Sequence, residues 1–327
     1  MSKKISVFVS GGFEPLAKTI VKELYTRLDT DLIEQVRIGI FEGQMPLDIV
    51  RGGAQIARII PSKKETIESA LKGIDAAFIW RTENEDENLI FRYIDAILEQ
   101  TYSDSEHNVK RLVVLSSYDS CPSLGKEIEE YLVNKSSSPS ITILNVPIFV
   151  RHFELYINSI VNEKVLQLPI GVEGRFAPLD DRDFATVVAN LLLTTTATNP
   201  TTNGTHSQET TKTNIKTITL TGPKLYTGPE LAEKLSTIRK EEISFSGTSL
   251  NEAEVFLSNV LPSNSESLIK RYQELYRVIR DDDIGNHYND YDLKKLLGDQ
   301  QPRDVDAYFS EVFPKESARS VIQRRGF

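Results

Sequence analysis

The sequence has very little cysteine, tryptophan and histidine, and it has no long apolar run. Among 327 residues there are one cysteine, one tryptophan and four histidines. A single cysteine excludes an internal disulfide and a zinc site made of cysteines, and no His, Cys and Asp have metal-ligand spacing, so we expect no metal. No segment reaches the ~20 apolar residues of a membrane span, and no apolar signal core follows Met1. We therefore expect a cytoplasmic or nuclear protein with no membrane partner.

Clustered positive charge is also scarce. The net charge is −9, with 47 Asp and Glu against 38 Lys and Arg, and the charges are spread along the chain. Phosphate backbones bind to clustered basic faces, so we expect no direct nucleic-acid partner.

What the sequence does contain is a regular alternation of short apolar runs and amphipathic segments. Apolar runs rich in β-branched residues predict strands at 5–10, 36–41, 55–60, 76–80, 111–116 and 140–146. Helical periodicity predicts helices at 16–24, 65–72, 87–100, 125–134 and 183–193, the last of them capped by Asp183. This order predicts an α/β fold, a doubly wound parallel sheet with helices on both faces.

The composition changes after residue 193. Residues 194–215 are rich in Thr and Asn and nearly free of apolar side chains, which predicts a disordered surface insertion. Beyond it we predict a strand at 217–220 and helices at 228–238, 251–261 and 265–280.

The stretch VFVSGGFEPLAKTIVKEL (7–24) predicts a strand, a glycine turn and a helix, a layout that binds the pyrophosphate of a dinucleotide. Gly11, Gly12 and Phe13 make the turn, and Glu14 stands at the start of the helix. A carboxylate there satisfies the helix dipole and repels a phosphate at ~5 Å by about 1–3 kcal/mol. The turn therefore predicts a pyrophosphate site that is weakened or lost.

Several segments, in order, resemble the NmrA-like family of atypical short-chain dehydrogenases/reductases. Besides the first turn they are SALKGIDAAFIW (69–80), VKRLVVLSS (109–117), KEIEEYL (126–132), TILNVPIFVRHF (142–153), FAPLDDRDFATVVANLLL (176–193) and ITLTGPKLYTGPELAEKLS (218–236). The resemblance implies an NAD(P)-binding Rossmann domain, which we place at 1–160. It also implies a smaller, mostly helical C-terminal lobe, placed at 161–327 and interleaved with the Rossmann core.

The resemblance implies NADP or NAD as cofactor, with contacts at identifiable positions. After the second strand, Glu42 stands where NADP-preferring members carry arginine, and it either accepts hydrogen bonds from a ribose or lies exposed. An aspartate that often flanks the adenine is replaced by Ile60. Arg81 after the fourth strand and Ser116 at the end of the fifth are further candidate ligand contacts, and each is equally suited to a surface pair or a turn.

The catalytic pair of short-chain reductases, Tyr-x-x-x-Lys, is incomplete at its expected place. Lys126 corresponds to the lysine, but the residue four before it is Pro122, which cannot donate a proton. A literal pair does occur at Tyr131 and Lys135. The resemblance places Tyr131 late in a helix, where it is expected to be a core residue.

Arg151 and His152 follow the sixth strand, where the resemblance implies the wall of a substrate pocket. A histidine there serves as acid, base or ligand anchor, or simply makes loop contacts.

Three functions are compatible with these residues. A regulatory or sensor protein would bind a nucleotide or small ligand with little or no turnover and act on a protein partner such as a transcription regulator; Glu14, Ile60 and Pro122 favour it. The alternative is a reductase that transfers hydride from NADH or NADPH to a small carbonyl, imine or quinone without a tyrosine acid. Arg151, His152 and the glycine turn favour that alternative. The third is a scaffold that has lost its cofactor.

Overall fold

A computed structural model of the chain describes thirteen stretches: 4–12, 14–28, 32–41, 47–80, 88–100, 108–118, 122–133, 135, 139–194, 214–261, 265–281, 283–286 and 288–315. The chain forms two compact units, each assembled from separate segments. Unit 1 comprises 1–116, 123–145 and 184–218, and unit 2 comprises 117–122, 146–183 and 219–327. The predicted disordered insertion, apart from residues 194, 214 and 215, lies outside the described residues.

Unit 1 is built on a seven-stranded sheet with the order β3-β2-β1-β4-β5-β6-β9. The strands are β1 (Ile5–Val9), β2 (Ile33–Ile40), β3 (Gln55–Arg58), β4 (Ala76–Trp80), β5 (Arg111–Tyr118), β6 (Ser140–Val146) and β9 (Ile215–Thr219). The pairs β1–β2, β1–β4, β2–β3 and β4–β5 are parallel. The order reverses between β1 and β4, which is the switch point where open α/β sheets bind ligands.

Helices cover both faces of this sheet. They are α1 (Pro15–Tyr25), α2 (Leu47–Arg51), α3 (Lys64–Leu71), α4 (Leu89–Gln100), α5 (Pro122–Val133) and α6 (Asp181–Leu193). Successive side chains of a strand point to opposite faces. Ile79 accordingly joins a buried cluster with Ile94 of α4 and Ile128 of α5, while the neighbouring Phe78 packs edge-on against Phe184 of α6. The predicted doubly wound α/β fold is confirmed.

Two helix starts differ from the prediction. Helix α5 begins at Pro122, a residue whose fixed φ suits a first helical turn. Helix α6 begins at Asp181, and the side chain of Asp180 accepts a hydrogen bond from the backbone N–H of Arg182 at 2.8 Å. The prediction that Asp183 caps α6 is therefore wrong, because Asp180 makes the capping bond.

Unit 2 is mostly helical. A 3-10 helix (Val150–Tyr156) and a π-helical turn (Ser159–Glu163) precede two small sheets, in which β7 (Val165–Leu168) pairs with β11 (Ser244–Gly247) and β8 (Arg175–Phe176) with β10 (Tyr226–Thr227). The remaining helices are α7 (Gly228–Arg239), α8 (Leu250–Val260), α9 (Glu266–Arg280), α10 (Asp283–Asn286), α11 (Tyr291–Leu297) and α12 (Val305–Val312). No helix in the described ranges is long and apolar enough to cross a bilayer.

Candidate functional site

The glycine turn after β1 is held tightly against β2. Gly11 has φ 68°, a left-handed conformation that favours glycine. The backbone N–H of Gly12 donates to the carbonyl of Gly39 at 2.9 Å, and a Cβ added at Gly12 would lie 2.4 Å from Cγ1 of Ile38. The turn closes with a hydrogen bond from the N–H of Glu14 to the carbonyl of Gly11 at 3.0 Å. Both glycines are thus required by the backbone.

Helix α1 begins directly after Glu14, its N-cap residue. The backbone of Glu14 is extended, with φ −70° and ψ 144°, and its side chain makes no capping hydrogen bond to the helix. The carboxylate therefore does not cap the helix through a hydrogen bond, and its expected effect on the helix dipole stays a prediction. Pro15 has no N–H, so Leu16 and Ala17 supply the backbone donors of the first turn, and the Glu14 side chain does not cap them.

At the switch point, Trp80 at the end of β4 is hydrogen-bonded to Ser10, the residue that follows β1. Its backbone N–H donates to the hydroxyl of Ser10 at 3.1 Å, and its indole N–H donates to the carbonyl of Ser10 at 3.2 Å. Only 4% of Trp80 is exposed, and it is the single tryptophan of the chain. Trp80 is not among the site residues predicted from the sequence. Its position at the end of an apolar strand was the available signal.

Next along this edge, Ser116 of β5 is hydrogen-bonded to Asn145 of β6. Trp80 is in register with Leu115, so Ser116 lies one residue beyond the end of β4. The Ser116 hydroxyl is buried and donates to the amide oxygen Oδ1 of Asn145, which is itself half-buried. Ser116 is a site residue predicted from the sequence, whereas Asn145 is not.

Some predicted cofactor and catalytic residues cannot be placed. Phe13, Glu42 and Arg81 lie outside the described residues. Lys126 lies in α5, but its side chain is not among the described ones.

Tyr131 and Lys135 do form a pair, but away from the carboxyl edge of the sheet. Lys135 Nζ donates to the Tyr131 hydroxyl at 2.7 Å, and that hydroxyl donates to Asp95 at 2.7 Å. The Tyr131 ring packs against Phe91 with 4.6 Å between centroids. Desolvation raises the pKa of Tyr131, a shift that the Lys135 hydrogen bond opposes. At a rise of 1.5 Å per residue, Tyr131 lies about 14 Å along α5 from Pro122. Its contacts with Phe91 and Asp95 of α4 make it a residue that joins the two helices.

His152 lies in the interior of unit 2, and Arg151 beside it is half-buried. His152 is 2% exposed, and its Nε2 is hydrogen-bonded to the Tyr276 hydroxyl at 2.7 Å. The rings of Tyr156 and Tyr272 also contact it, with centroids at 5.8 and 5.0 Å. The guanidinium of Arg151 binds the carboxylate of Asp181 through two nitrogens.

The segment 180–183 gathers buried carboxylates in unit 2, which the sequence analysis did not recognise. Burial raises the pKa of Asp181 to about 6 although the Arg151 guanidinium opposes the shift, and burial raises the pKa of Asp183 to about 7. One oxygen of Asp183 accepts the backbone N–H of Arg303 at 2.7 Å. Its other oxygen and one oxygen of Asp181 are buried and have no hydrogen-bond partner among the described residues. Within the described stretches, no three His, Cys, Asp or Glu are placed to hold a metal ion.

Comparison with known proteins identifies the fold through structure and not through sequence. No family model matches the chain, and no curated protein matches it in sequence. An NADPH-dependent quinone oxidoreductase from Escherichia coli, solved with NADPH, is 15% identical with a TM-score of 0.72, over 94% of this chain and 99% of that one. The Citrobacter triphenylmethane reductase, solved with NADP(H), is 14% identical with a TM-score of 0.70 over the same shares.

A nucleoside-diphosphate-sugar epimerase from Staphylococcus aureus is 16% identical, with a TM-score of 0.70, and the match covers 94% of this chain and all of that one. The protein therefore has the fold of the NAD(P)-binding Rossmann reductases and their relatives. Since one of these relatives is an epimerase, the fold by itself does not name a reaction.

Proposed function

We propose that this protein is an NAD(P)H-dependent reductase of a small carbonyl, imine or quinone compound, distantly related to the NmrA-like family. The observation that carries the proposal is the helix start behind the glycine turn, where α1 has no side-chain cap. Glu14 is the N-cap residue of this helix, but its side chain makes no hydrogen bond to the N–H groups of the first turn.

The residues of the first turn fit a dinucleotide. Gly11 provides the left-handed turn, Gly12 packs on β2 without a side chain, and the N–H groups of Leu16 and Ala17 are not used by Glu14. These backbone groups would hold the pyrophosphate. When bound, NAD(P)H supplies a hydride to the substrate.

The likeness to an NADPH-dependent quinone oxidoreductase and to a triphenylmethane reductase solved with NADP(H) supports the same choice, since it covers nearly the whole of each chain. Glu14 opposes it, because its carboxylate is attached at the N-cap beside the proposed pyrophosphate. We expect its charge to weaken binding without abolishing it, because the side chain is only half-buried and can turn toward solvent.

Intrinsic fluorescence tests the cofactor directly. Trp80 is the only tryptophan and lies at the switch point, so NADPH bound there should quench its emission and acquire sensitised emission of its own. We expect saturable transfer at micromolar NADPH or NADH, followed by oxidation of the bound nucleotide when menadione is added. An absence of transfer with both nucleotides would contradict the proposal.

A regulatory protein is the second candidate, and Pro122 is the observation that favours it. As the first residue of α5 it stands where the family's proton donor would be, and it has no group to donate. Such a protein would bind the nucleotide or another small ligand, with little or no turnover, and act on a protein partner such as a transcription regulator. Transfer from Trp80 without oxidation of NADPH by any of a panel of quinones, aldehydes and imines would favour this candidate.

A further inference from the structure

We propose that Asn145 is a catalytic residue that donates hydrogen bonds from its amide to the substrate oxygen, and that Ser116 positions it. The inference rests on the proposed reductase function and assigns the group that takes the place of the missing tyrosine. It starts from the hydrogen bond that joins Ser116 and Asn145 at the carboxyl edge of the sheet.

The location of the pair is set by the sheet. β5 and β6 are neighbours, and both side chains lie near the carboxyl ends of their strands. Ser116 is one residue past the position level with Trp80, which contacts Ser10 immediately before the glycine turn. Ligands of open α/β sheets bind outside this edge. The pair therefore stands on the same edge as the proposed dinucleotide turn.

The hydrogen bond also determines which end of the amide is available. Ser116 is 2% exposed, and its hydroxyl donates to Oδ1 of Asn145, with the carbonyl of Leu144 at 3.4 Å as its other acceptor. With Oδ1 engaged, Nδ2 carries two N–H donors. No residue in the described part of the chain accepts a hydrogen bond from Nδ2, and Asn145 is half-buried, so these donors remain for a ligand.

Two neutral N–H donors suit the reduction of a carbonyl. A bound NAD(P)H would supply the hydride to the carbonyl carbon and would thereby be oxidised to NAD(P)+. The electron pair of the carbonyl bond then moves onto oxygen, where Nδ2 stabilises the developing negative charge. A water molecule protonates that oxygen, and the product is an alcohol, or a hydroquinone from a quinone. Asn145 keeps its own protons throughout, so no acid is needed at Pro122.

The main test is Asn145→Ala with NADPH and menadione. Loss of a donor of this kind lowers kcat by ~10²–10³-fold, whereas energy transfer from Trp80 to NADPH should keep its midpoint within about twofold. Thr142→Ala is the control, because Thr142 is a half-buried polar residue of the same strand, about 10 Å nearer its start at 3.3 Å per residue. We expect this control to be as active as the unaltered protein.

Two further variants separate chemistry from folding. Asn145→Asp has no donor when ionised and regains one when protonated, so its kcat should rise as the pH falls, against a flat profile for the unaltered protein. Ser116→Ala frees the amide to rotate and should lower kcat more than it alters KM, and Ser116→Thr, which keeps the hydroxyl, should restore it.

A measurement without turnover uses 2-hydroxy-1,4-naphthoquinone in the presence of NADP+. Its anion carries a negative oxygen like the one formed during reduction, and its visible absorbance reports binding. Asn145→Ala should bind this anion about tenfold more weakly, and binding that is absent or equal in the two proteins would overturn the inference. If NADPH binds but menadione is not reduced, this titration still tests whether Asn145 donates hydrogen bonds to a negative oxygen.

The outcomes distinguish the two proposals. If the unaltered protein reduces menadione and Asn145→Ala retains more than about half of its kcat/KM, the role of Asn145 is wrong while the reductase stands. If neither NADPH nor NADH quenches Trp80, the proposed function fails and the assignment of Asn145 fails with it.

Discussion

The carboxyl edge of the sheet in unit 1 and the segment 180–183 in unit 2 use polar side chains in opposite ways. At the sheet edge, Ser10, Trp80, Ser116 and Asn145 are neutral and are fixed by hydrogen bonds. In the part of the chain that the structure describes, no acceptor faces the amide N–H groups of Asn145. In unit 2 the carboxylates are buried, and the bonds they make join separate parts of the chain. The first arrangement suits ligand binding, whereas the second stabilises the fold and couples its stability to pH.

The largest effect is expected where a buried ion pair is broken. Arg151→Met leaves Asp181 buried without its guanidinium, which costs about 3–5 kcal/mol of unfolding free energy at pH 8. Urea unfolding would measure this loss, which should shrink at pH 5 as Asp181 becomes protonated. Arg277→Met is the control, because Arg277 pairs with Glu274 on an exposed helix face and should lose less than about 1 kcal/mol. Equal losses in the two variants would remove the distinction between the buried and the exposed pair.

The second-largest loss of unfolding free energy is expected from a steric change at the glycine turn. Gly12→Ala forces a Cβ against Ile38 and to 2.9 Å from the Gly39 carbonyl, so we expect a loss of about 1–3 kcal/mol. Sensitised emission from NADPH should weaken in the same variant. Ile38→Ala relieves the side-chain part of the clash, so the double variant should recover part of the stability. If the stability losses of Gly12→Ala and Ile38→Ala simply added in the double variant, the Ile38 side chain would not be what clashes with the new Cβ.

Asp183 should make unit 2 less stable as the pH rises. Its pKa is raised from 3.8 to about 7 in the folded protein, so the folded state binds the proton more tightly, and this stabilisation is lost between about pH 4 and pH 7. Asp183→Asn lacks this dependence. Relative to the unaltered protein it should therefore gain about 2 kcal/mol of unfolding free energy between pH 5 and pH 8.

The exposed Asp299→Asn serves as the control and should track the unaltered protein at both pH values. If the unfolding free energy of Asp183→Asn changed with pH in the same way as that of the unaltered protein, the burial of Asp183 would have no energetic consequence.

The smallest effect concerns the charge at the start of α1. Glu14→Gln removes the carboxylate beside the proposed pyrophosphate, and about 1 kcal/mol of repulsion corresponds to roughly fivefold tighter NADPH binding. The midpoint of the Trp80 quenching titration measures it. High salt should reduce the difference in NADPH affinity between Glu14→Gln and the unaltered protein, because half-exposed charges are screened. Unchanged affinity would mean that the side chain already points away from the phosphate.

The local sequence pattern predicted the strands of the sheet well, but it predicted short elements and side-chain contacts poorly. The strands at 76–80 and 140–146 match the structure residue for residue, because apolar, β-branched runs bounded by polar residues are a local signal. Helix α2, helices α10 to α12 and the short strands of unit 2 were missed, since elements this short carry little periodicity. The capping of α6 was assigned to Asp183, because three aspartates within four residues are alike in sequence.

The sequence by itself determined the alternation of strands and helices, the glycine turn and the absence of a tyrosine at Pro122, because each of these depends on neighbouring residues. Only the tertiary structure decided that Ser116 meets Asn145, that Trp80 closes onto Ser10 and that His152 is enclosed by tyrosines. The physical reason is that these contacts join residues 29 to 124 positions apart, whose approach follows from strand order and core packing. Among the described residues, the amide N–H groups of Asn145 have no acceptor, whereas the His152 ring is buried and bonded to Tyr276.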